Sequence, residues 1–231
     1  MQEVKLSLNE IRDEQSDFIA KVYGWMTLAL IITGVVAYGT ASSPNLVNVI
    51  LGNNFIFYGI LIGQLICVAY LSRVVHKISA SLATIIFVGY AALNGLSFSL
   101  IFLQFTADSI ASTFLVTAGT FGIMSIYGYF TKSDLTKIGN LAFMALVGLI
   151  LASIANMFFH NETFYWVTTF IGILIFVALI AYDTQKLKKM NVIGNMGTEE
   201  DKKEAIMGAL TLYLDFINIF LFFLRIFGRR K

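Results

Sequence analysis

The chain has 231 residues, of which 58% are hydrophobic and 13% charged, and its mean hydropathy is +0.79. This balance excludes an ordinary soluble globular domain and indicates a protein whose solvent is the lipid bilayer. The net charge of +2 offers no basic surface of the kind that binds nucleic acid. A single cysteine and two distant histidines exclude an internal disulfide and form no metal-ligand cluster, so we expect neither a cofactor nor a metal enzyme.

Seven apolar runs are long enough to span a bilayer. They are too long for the strands of a membrane barrel, and lipid cannot hydrogen-bond free backbone groups, so each run predicts a helix. The runs cover residues 22–42, 55–71, 82–103, 109–130, 138–159, 164–183 and 205–224. The sequence therefore predicts an all-α polytopic protein with one transmembrane domain over residues 1–231, in which residues 1–21 form a cytoplasmic N-terminal segment.

Lysine and arginine residues alternate between the loops. The N-terminal segment and loops two, four and six hold 12 of the 16 cations, whereas loops one, three and five hold none. By the positive-inside tendency, the cation-bearing segments face the cytoplasm. The remaining four cations follow the last span, and a re-entrant last helix would return them to the cytoplasm. We nevertheless expect seven full spans.

Asp215 is the most deeply placed charge in the sequence. No other charged residue lies between Glu204 and Arg225, so Asp215 is about 16 Å along the helix from either end. An ionisable group at that depth costs about 2.5–3.5 kcal/mol and needs a bundle interior, a water cavity or a polar partner. A protonated acid bonded to one neighbour is the purely structural alternative.

Asp183 ends the sixth span, just before Lys186 and Lys188. It could be solvated at the membrane surface or paired with one of these lysines. If it lies close to Asp215, the two carboxyl groups would share a proton and form a pH-sensitive pair. Their different apparent depths then require an offset between the spans or a water-filled vestibule.

Two further polar residues are candidates for the same site. Arg73, at the inner end of the second span, is a candidate cation for either carboxylate, although an interfacial arginine serves topology equally well. Asn94 lies deep in the third span and could line a water path or bridge two helices.

Several strings resemble the transmembrane Bax inhibitor motif family, and the chain is similar to a bacterial member from about the first span to the C-terminus. The strings are YAALNGLSFS in the third span, YGYFTKSDLTKIG at 127–139, AYDTQKL at 181–187 and LYLDFINIFLFFLRIFG at 212–228. The resemblance implies two three-helix layers around a central C-terminal helix and a pH-sensitive calcium leak. By this resemblance, Asp183 and Asp215 correspond to the family's paired aspartates, which implies that they act as pH sensor and as weak, transient Ca²⁺ ligands. Arg73 corresponds to the family's arginine, which implies a gating ion pair.

Three functions are open at this point. The first is a passive pathway with Ca²⁺ as the permeant ion, because carboxylate oxygens suit hard cations. The second is a non-transporting regulator of other membrane proteins, such as a membrane protease or a stress-response partner. The third, an intramembrane aspartyl protease, is opposed because the chain has LYLD at 212–215 where such enzymes have GxGD, and its one proline is Pro44.

We expect the first function, in a protein that is not an enzyme. Its partners are then the lipid bilayer, calcium ions and protons, without nucleic acid and with other membrane proteins as further candidates. The expected location is the bacterial cytoplasmic (inner) membrane, with multiple passes and a cytoplasmic N-terminus.

Overall fold

The structure, a computed structural model, describes residues 8–190 and 193–231, with side chains from residue 11 onward. The described residues form eight α-helices and one short 3₁₀ helix, Val75–Lys77, and no strand longer than an isolated bridge. The helices are α1 (Leu8–Ala41), α2 (Pro44–Leu51), α3 (Asn54–Val74), α4 (Ala80–Gln104), α5 (Ala107–Phe130), α6 (Thr136–Phe159), α7 (Glu162–Met190) and α8 (Glu199–Phe227). Every helix except α2 is long and apolar enough to cross a membrane, so the predicted all-α fold with seven spans is confirmed.

The helices divide into two compact units. Unit 1 comprises Met1–Gln104 and Met190–Tyr213, and unit 2 comprises Phe105–Lys189 and Leu214–Lys231. Each unit therefore contains three long helices and one half of α8. The implied pair of three-helix layers, and the single transmembrane domain, stay predictions.

In unit 1, α1 and α4 lie against each other along their lengths. Gly95 has no side chain, which lets its backbone approach Val36 and the carbonyl oxygen of Thr33. Near the start of α1, the Glu14 carboxylate accepts hydrogen bonds from the backbone N–H groups of Gly194 and Met196. These bonds hold the connection before α8 against α1.

Unit 2 contains α5, α6, α7 and the second half of α8. Gly128 of α5 lies directly against the backbone of Ala181 of α7, and Gly172 of α7 lies under the ring of Phe222 of α8. A side chain at Gly128 would push α5 away from α7, and one at Gly172 would push α7 away from α8, because close approach of helices in membranes depends on small residues.

The helices extend beyond the apolar runs at the charged ends. The first span was predicted from residue 22, but α1 begins at Leu8; residues 1–7 of the predicted N-terminal segment lie outside the described residues. Glu14, Phe18 and Val22 are all buried at a spacing of four residues. One face of α1 is therefore covered before the apolar run begins, and hydropathy alone does not detect it.

One other helix extends past its predicted boundary, and one short helix was not predicted. The sixth span was predicted to end at residue 183, but α7 continues through the lysines to Met190. Loop one contains α2, which the sequence analysis did not predict. Its N-cap Ser43 accepts from the N–H of Leu46, and Pro44 occupies the first turn, both common features of helix starts.

The C-terminal tail lies at the end of unit 2 that carries loops three and five. The backbone N–H of Thr106 in loop three donates to the carbonyl of Arg229 at 2.9 Å, and the guanidinium of Arg225 lies 5.1 Å from the ring centroid of Tyr165 near the start of α7. A re-entrant last helix would place the tail at the opposite end of unit 2. The last helix is therefore a full span, and the aromatic ring helps to accommodate Arg225.

Candidate functional site

Asp215 lies in the second half of α8 and is 5% exposed. This helix is the most enclosed of the seven candidate spans, with 61% of its apolar window buried against 11% to 44% for the others. The residue after it, Phe216, packs against Phe114 and Phe121 of α5, with ring centroids 5.3 Å and 5.5 Å apart. The carboxyl group is therefore shielded from lipid by its own unit.

The structure brings the side chains of Asp183 and Asp215 next to each other, so that they can form a hydrogen bond when one of them carries a proton. The Oδ2 atom of Asp215 is buried and has no hydrogen-bond partner. A carboxylate oxygen only accepts, so a bond between two carboxyl groups requires one proton. The geometry of the pair is thus complete when it holds a single proton.

The helix that carries Asp183 does not end at this residue. Asp183 lies two turns before Met190, inside a regular helix. The offset between the spans and the water-filled vestibule, by which the sequence analysis explained a contact with Asp215, stay predictions.

The residues on both sides of Asp183 are held in place by their neighbours in unit 2. Thr184 donates to Ser125 of α5 at 3.5 Å. Gln185 both accepts from the backbone N–H of Leu135 and donates to the carbonyl of Ser133, at 3.0 Å and 2.8 Å. These contacts fix the rotation of α7, and with it the direction of the Asp183 side chain.

The lysines beyond Asp183 are partly engaged elsewhere. Lys188 donates to the carbonyl of Tyr129 and its ammonium lies 4.5 Å from that ring's centroid. Lys189 is 3.4 Å from the exposed carboxylate of Asp134. Lys186 is exposed, and its charge acts on Asp183. An attraction between Asp183 and a lysine therefore coexists with the carboxyl pair.

Arg73 and Asn94 both belong to unit 1. Arg73 is exposed in the last turn of α3, as expected of an interfacial cation. Asn94 is buried, and its amide donates to the carbonyl of Tyr90 one turn earlier in α4. The ion pair of Arg73 with Asp183 and the pathway role of Asn94 stay predictions.

Within the part of the chain that the structure describes, no three His, Cys, Asp or Glu side chains are grouped so that they could hold a metal ion. The aspartate pair supplies carboxylate oxygens from two residues, whereas a stable calcium site uses six to eight oxygen ligands. An ion at this pair would therefore keep most of its water and leave easily.

Sequence reasoning missed one polar feature of unit 2, on α5. Ser109, Thr113 and Thr117 are buried at a spacing of four residues, and the hydroxyl of Thr113 has no hydrogen-bond partner. A cavity of about 540 Å³ opens beside Ser109. The four-residue spacing was visible in the sequence, but the missing partner was not.

These features define a class: a polytopic helical membrane protein with a carboxyl pair buried inside one of its units. The family profile described as "Inhibitor of apoptosis-promoting Bax1" matches residues 15–231, and the chain belongs to this Bax inhibitor family. The chain is 50% identical over 215 residues to the "Inner membrane protein YbhL" of Escherichia coli K12, covering 93% of this chain and 92% of the relative.

Two other relatives cover nearly the same region. An uncharacterised protein of Borreliella burgdorferi is 41% identical, over 94% of both chains. An uncharacterised membrane protein of Streptococcus pyogenes serotype M3 is 36% identical, over 93% of both chains. The resemblance to the Bax inhibitor family drawn from the sequence strings is confirmed.

Proposed function

We propose that the protein is a passive, pH-sensitive calcium leak pathway in which Asp183 and Asp215 are the proton sensor and the weak ion site. The observation that carries the proposal is that the two carboxyl groups lie next to each other, where a hydrogen bond between them would need a single proton. Because hard cations bind carboxylate oxygens, Ca²⁺ and the proton compete for the same atoms. Permeation is then linked to pH.

The small number of oxygen ligands favours passage over storage. An ion that keeps most of its water can enter and leave quickly, as conduction requires. Burial matters as well, because a charged carboxylate at this depth is unfavourable without a proton or a cation. We place the protein in the inner membrane because its Escherichia coli relative is named an inner membrane protein.

The test is ⁴⁵Ca²⁺ flux into proteoliposomes that contain only the purified protein. Coupled carboxyl groups titrate in two macroscopic steps, so flux is measured in a series from about pH 5 to about pH 8. Asp183→Asn and Asp215→Asn keep size and hydrogen-bonding capacity but remove titration, so each should flatten the pH dependence. Arg73→Ala should move the midpoint and leave the titration in place.

Asp134→Asn is the matched control. It makes the same substitution at an exposed carboxylate of unit 2 that is not part of the pair. It should keep the wild-type pH profile. An unchanged profile in both asparagine variants of the pair would reject the pair as the sensor. Absence of flux in the wild-type protein at every pH would reject the leak and favour a regulator of other membrane proteins.

A further inference from the structure

The buried face of α5 is polar over most of its length, which is unusual for a helix that spans lipid. The opposite side of α5 exposes large apolar residues: Leu115 and Ile123 are 71% and 68% exposed. The buried face carries hydroxyl groups at intervals of four residues, interrupted once by a phenylalanine. These residues are Ser109, Thr113, Thr117, Phe121 and Ser125.

One hydroxyl on this face lacks a partner. Thr117 donates to the carbonyl of Thr113, and Ser109 donates to the carbonyl of Thr106. The Oγ1 atom of Thr113 itself is fully buried and makes no hydrogen bond. Buried polar atoms are nearly always bonded to protein or to ordered water, so this hydroxyl could bind water when the packing around it opens.

The cavity touches one end of this face, at Ser109. It measures about 540 Å³, and its lining consists of Thr106, Asp108, Ser109, Ser112, Val116, Phe227 and Arg229. A volume of this size holds many water molecules. It lies at the end of unit 2 that carries loop three, which is the predicted outer end.

The other end of the polar face reaches the aspartate pair. Ser125 accepts a hydrogen bond from Thr184, the residue after Asp183. Between Thr117 and Ser125, the ring of Phe121 packs edge-on against Phe216, the residue after Asp215. Both rings are 3% exposed. Two polar stretches on one face of α5 are thus separated by one aromatic contact.

We propose that the hydroxyl-bearing face of α5 lines the cation path between the cavity and the aspartate pair and takes up water when the path opens, and that the contact of Phe121 with Phe216 closes it. This inference rests on the proposed function and adds the route and the barrier. Hydroxyl and carbonyl oxygens are acceptable transient ligands for a hydrated divalent cation. An apolar constriction stops ions by excluding water.

The first experiment measures water access directly, without calcium. Cys67 is the single cysteine in the chain, so a Cys67→Ala background allows Thr113→Cys to be probed with a membrane-impermeant, positively charged thiol reagent. Leu115→Cys is the matched control on the lipid-facing side. Since only a hydrated thiolate reacts, Thr113→Cys should react at least about tenfold faster than the control when reagent is applied from the loop-three side.

The second experiment opens the barrier. Phe121→Ala should raise ⁴⁵Ca²⁺ flux several-fold and make Ser125→Cys reactive from the loop-three side. Phe121→Leu keeps most of the bulk and should stay close to wild type, which guards against a general packing defect. Phe130→Ala, at a ring that is 72% exposed on α5, is the control that should change neither measurement.

The outcomes separate the route from the function. If the wild-type protein conducts Ca²⁺ but Thr113→Cys is as unreactive as Leu115→Cys, this route is rejected and the leak function is retained. Reactive Thr113→Cys without any wild-type flux supports the water-filled face and rejects the leak. A Phe121→Ala variant that folds, as judged by its melting temperature, but leaves both flux and Ser125→Cys reactivity unchanged rejects the aromatic barrier.

Discussion

The two units treat their buried polar side chains differently. In unit 1, the Thr33 hydroxyl bonds to the carbonyl of Ala91 and the hydroxyl of Tyr213, at 2.9 Å and 2.8 Å. Among the described residues, three buried side-chain oxygens lack a partner: Asn195 Oδ1 lies in the connection before α8 in unit 1, whereas Thr113 Oγ1 and Asp215 Oδ2 lie within the helices of unit 2. Satisfied polar groups stabilise a fold, whereas unsatisfied ones are expected where a site serves function.

The same contrast holds for the two buried acids of α8. Asp201, in unit 1, is 2% exposed. Its carboxylate accepts hydrogen bonds from Lys21 at 2.7 Å and from the backbone N–H of Gly197 at 2.8 Å. Asp215, in unit 2, has a second acid as its partner. One helix therefore carries a structural carboxylate in its first half and a carboxyl with an incomplete set of partners in its second half.

The largest effect should come from the same change made at these two acids. Asp201→Asn removes the charge that Lys21 and Gly197 contact, and hydrogen bonds to charged groups are worth about 1.5–3 kcal/mol each. Because Lys21 is 37% exposed, we expect a loss of about 1–3 kcal/mol. Asp215→Asn should leave stability unchanged or slightly higher, because it removes a carboxyl group that is costly to bury.

The measurement for this pair is unfolding in mixed detergent micelles, followed by loss of helical circular dichroism. Asp13→Asn, at an exposed position of α1, is the control and should stay within about 0.5 kcal/mol of wild type. Equal losses for Asp201→Asn and Asp215→Asn would break the comparison, because Asp215 would then be a structural acid.

A smaller effect should distinguish two buried threonines. Thr33→Val leaves the hydroxyl of Tyr213, which is 0% exposed, without this partner, at a cost of about 0.5–2 kcal/mol. Thr113→Val has the same shape change but removes a hydroxyl that has no partner, so stability should be equal or higher. If Thr113→Val loses as much as Thr33→Val in the same unfolding assay, the hydroxyl of Thr113 is paired in the native protein.

Hydropathy was sufficient to predict the seven spans, because lipid imposes length and composition on every crossing. It was insufficient at the ends. The backbone hydrogen bonds of α7 continue through Lys186, Lys188 and Lys189 to Met190, although the apolar run stops earlier. Hydropathy therefore could not place Asp183 next to Asp215, and that contact was predicted from the resemblance to a family.

The unpaired state of Thr113 could not be predicted at all. A threonine in a membrane helix normally bonds to a carbonyl of the preceding turn, as Thr117 does. Whether it does so at a given position depends on its rotamer and on the neighbouring helices, and neither can be read from one sequence. The closure by Phe121 and Phe216 likewise depends on residues about 95 positions apart in the chain, which only the helix packing brings together.

The smallest expected effect concerns an exposed acid of unit 2, as a counterpart to the buried ion pair of unit 1. Hydrogen bonds from the hydroxyl and the backbone N–H of Thr136 hold the pKa of the Asp134 carboxyl below its ordinary value, with a smaller contribution from Lys189. A carboxyl group whose pKa is lower in the folded state stabilises the fold at a pH above its ordinary pKa of about 3.9. This stabilisation is lost as the pH falls through the pKa of the folded state.

Asp134→Asn should therefore melt slightly below wild type at neutral pH, and the difference should shrink as the pH falls below the ordinary pKa and through the lower folded pKa of the wild-type carboxyl. Melting temperatures in an acid-stable detergent, taken in steps from about pH 7 to about pH 2.5, provide the measurement. Thr136→Val removes the hydroxyl that contributes most and should narrow the pH-dependent part of the difference. A melting difference between wild type and Asp134→Asn that stays constant over the whole series would show that these bonds act through shape alone. The charge of Asp134 would then contribute nothing, in contrast to the charge of Asp201 in unit 1.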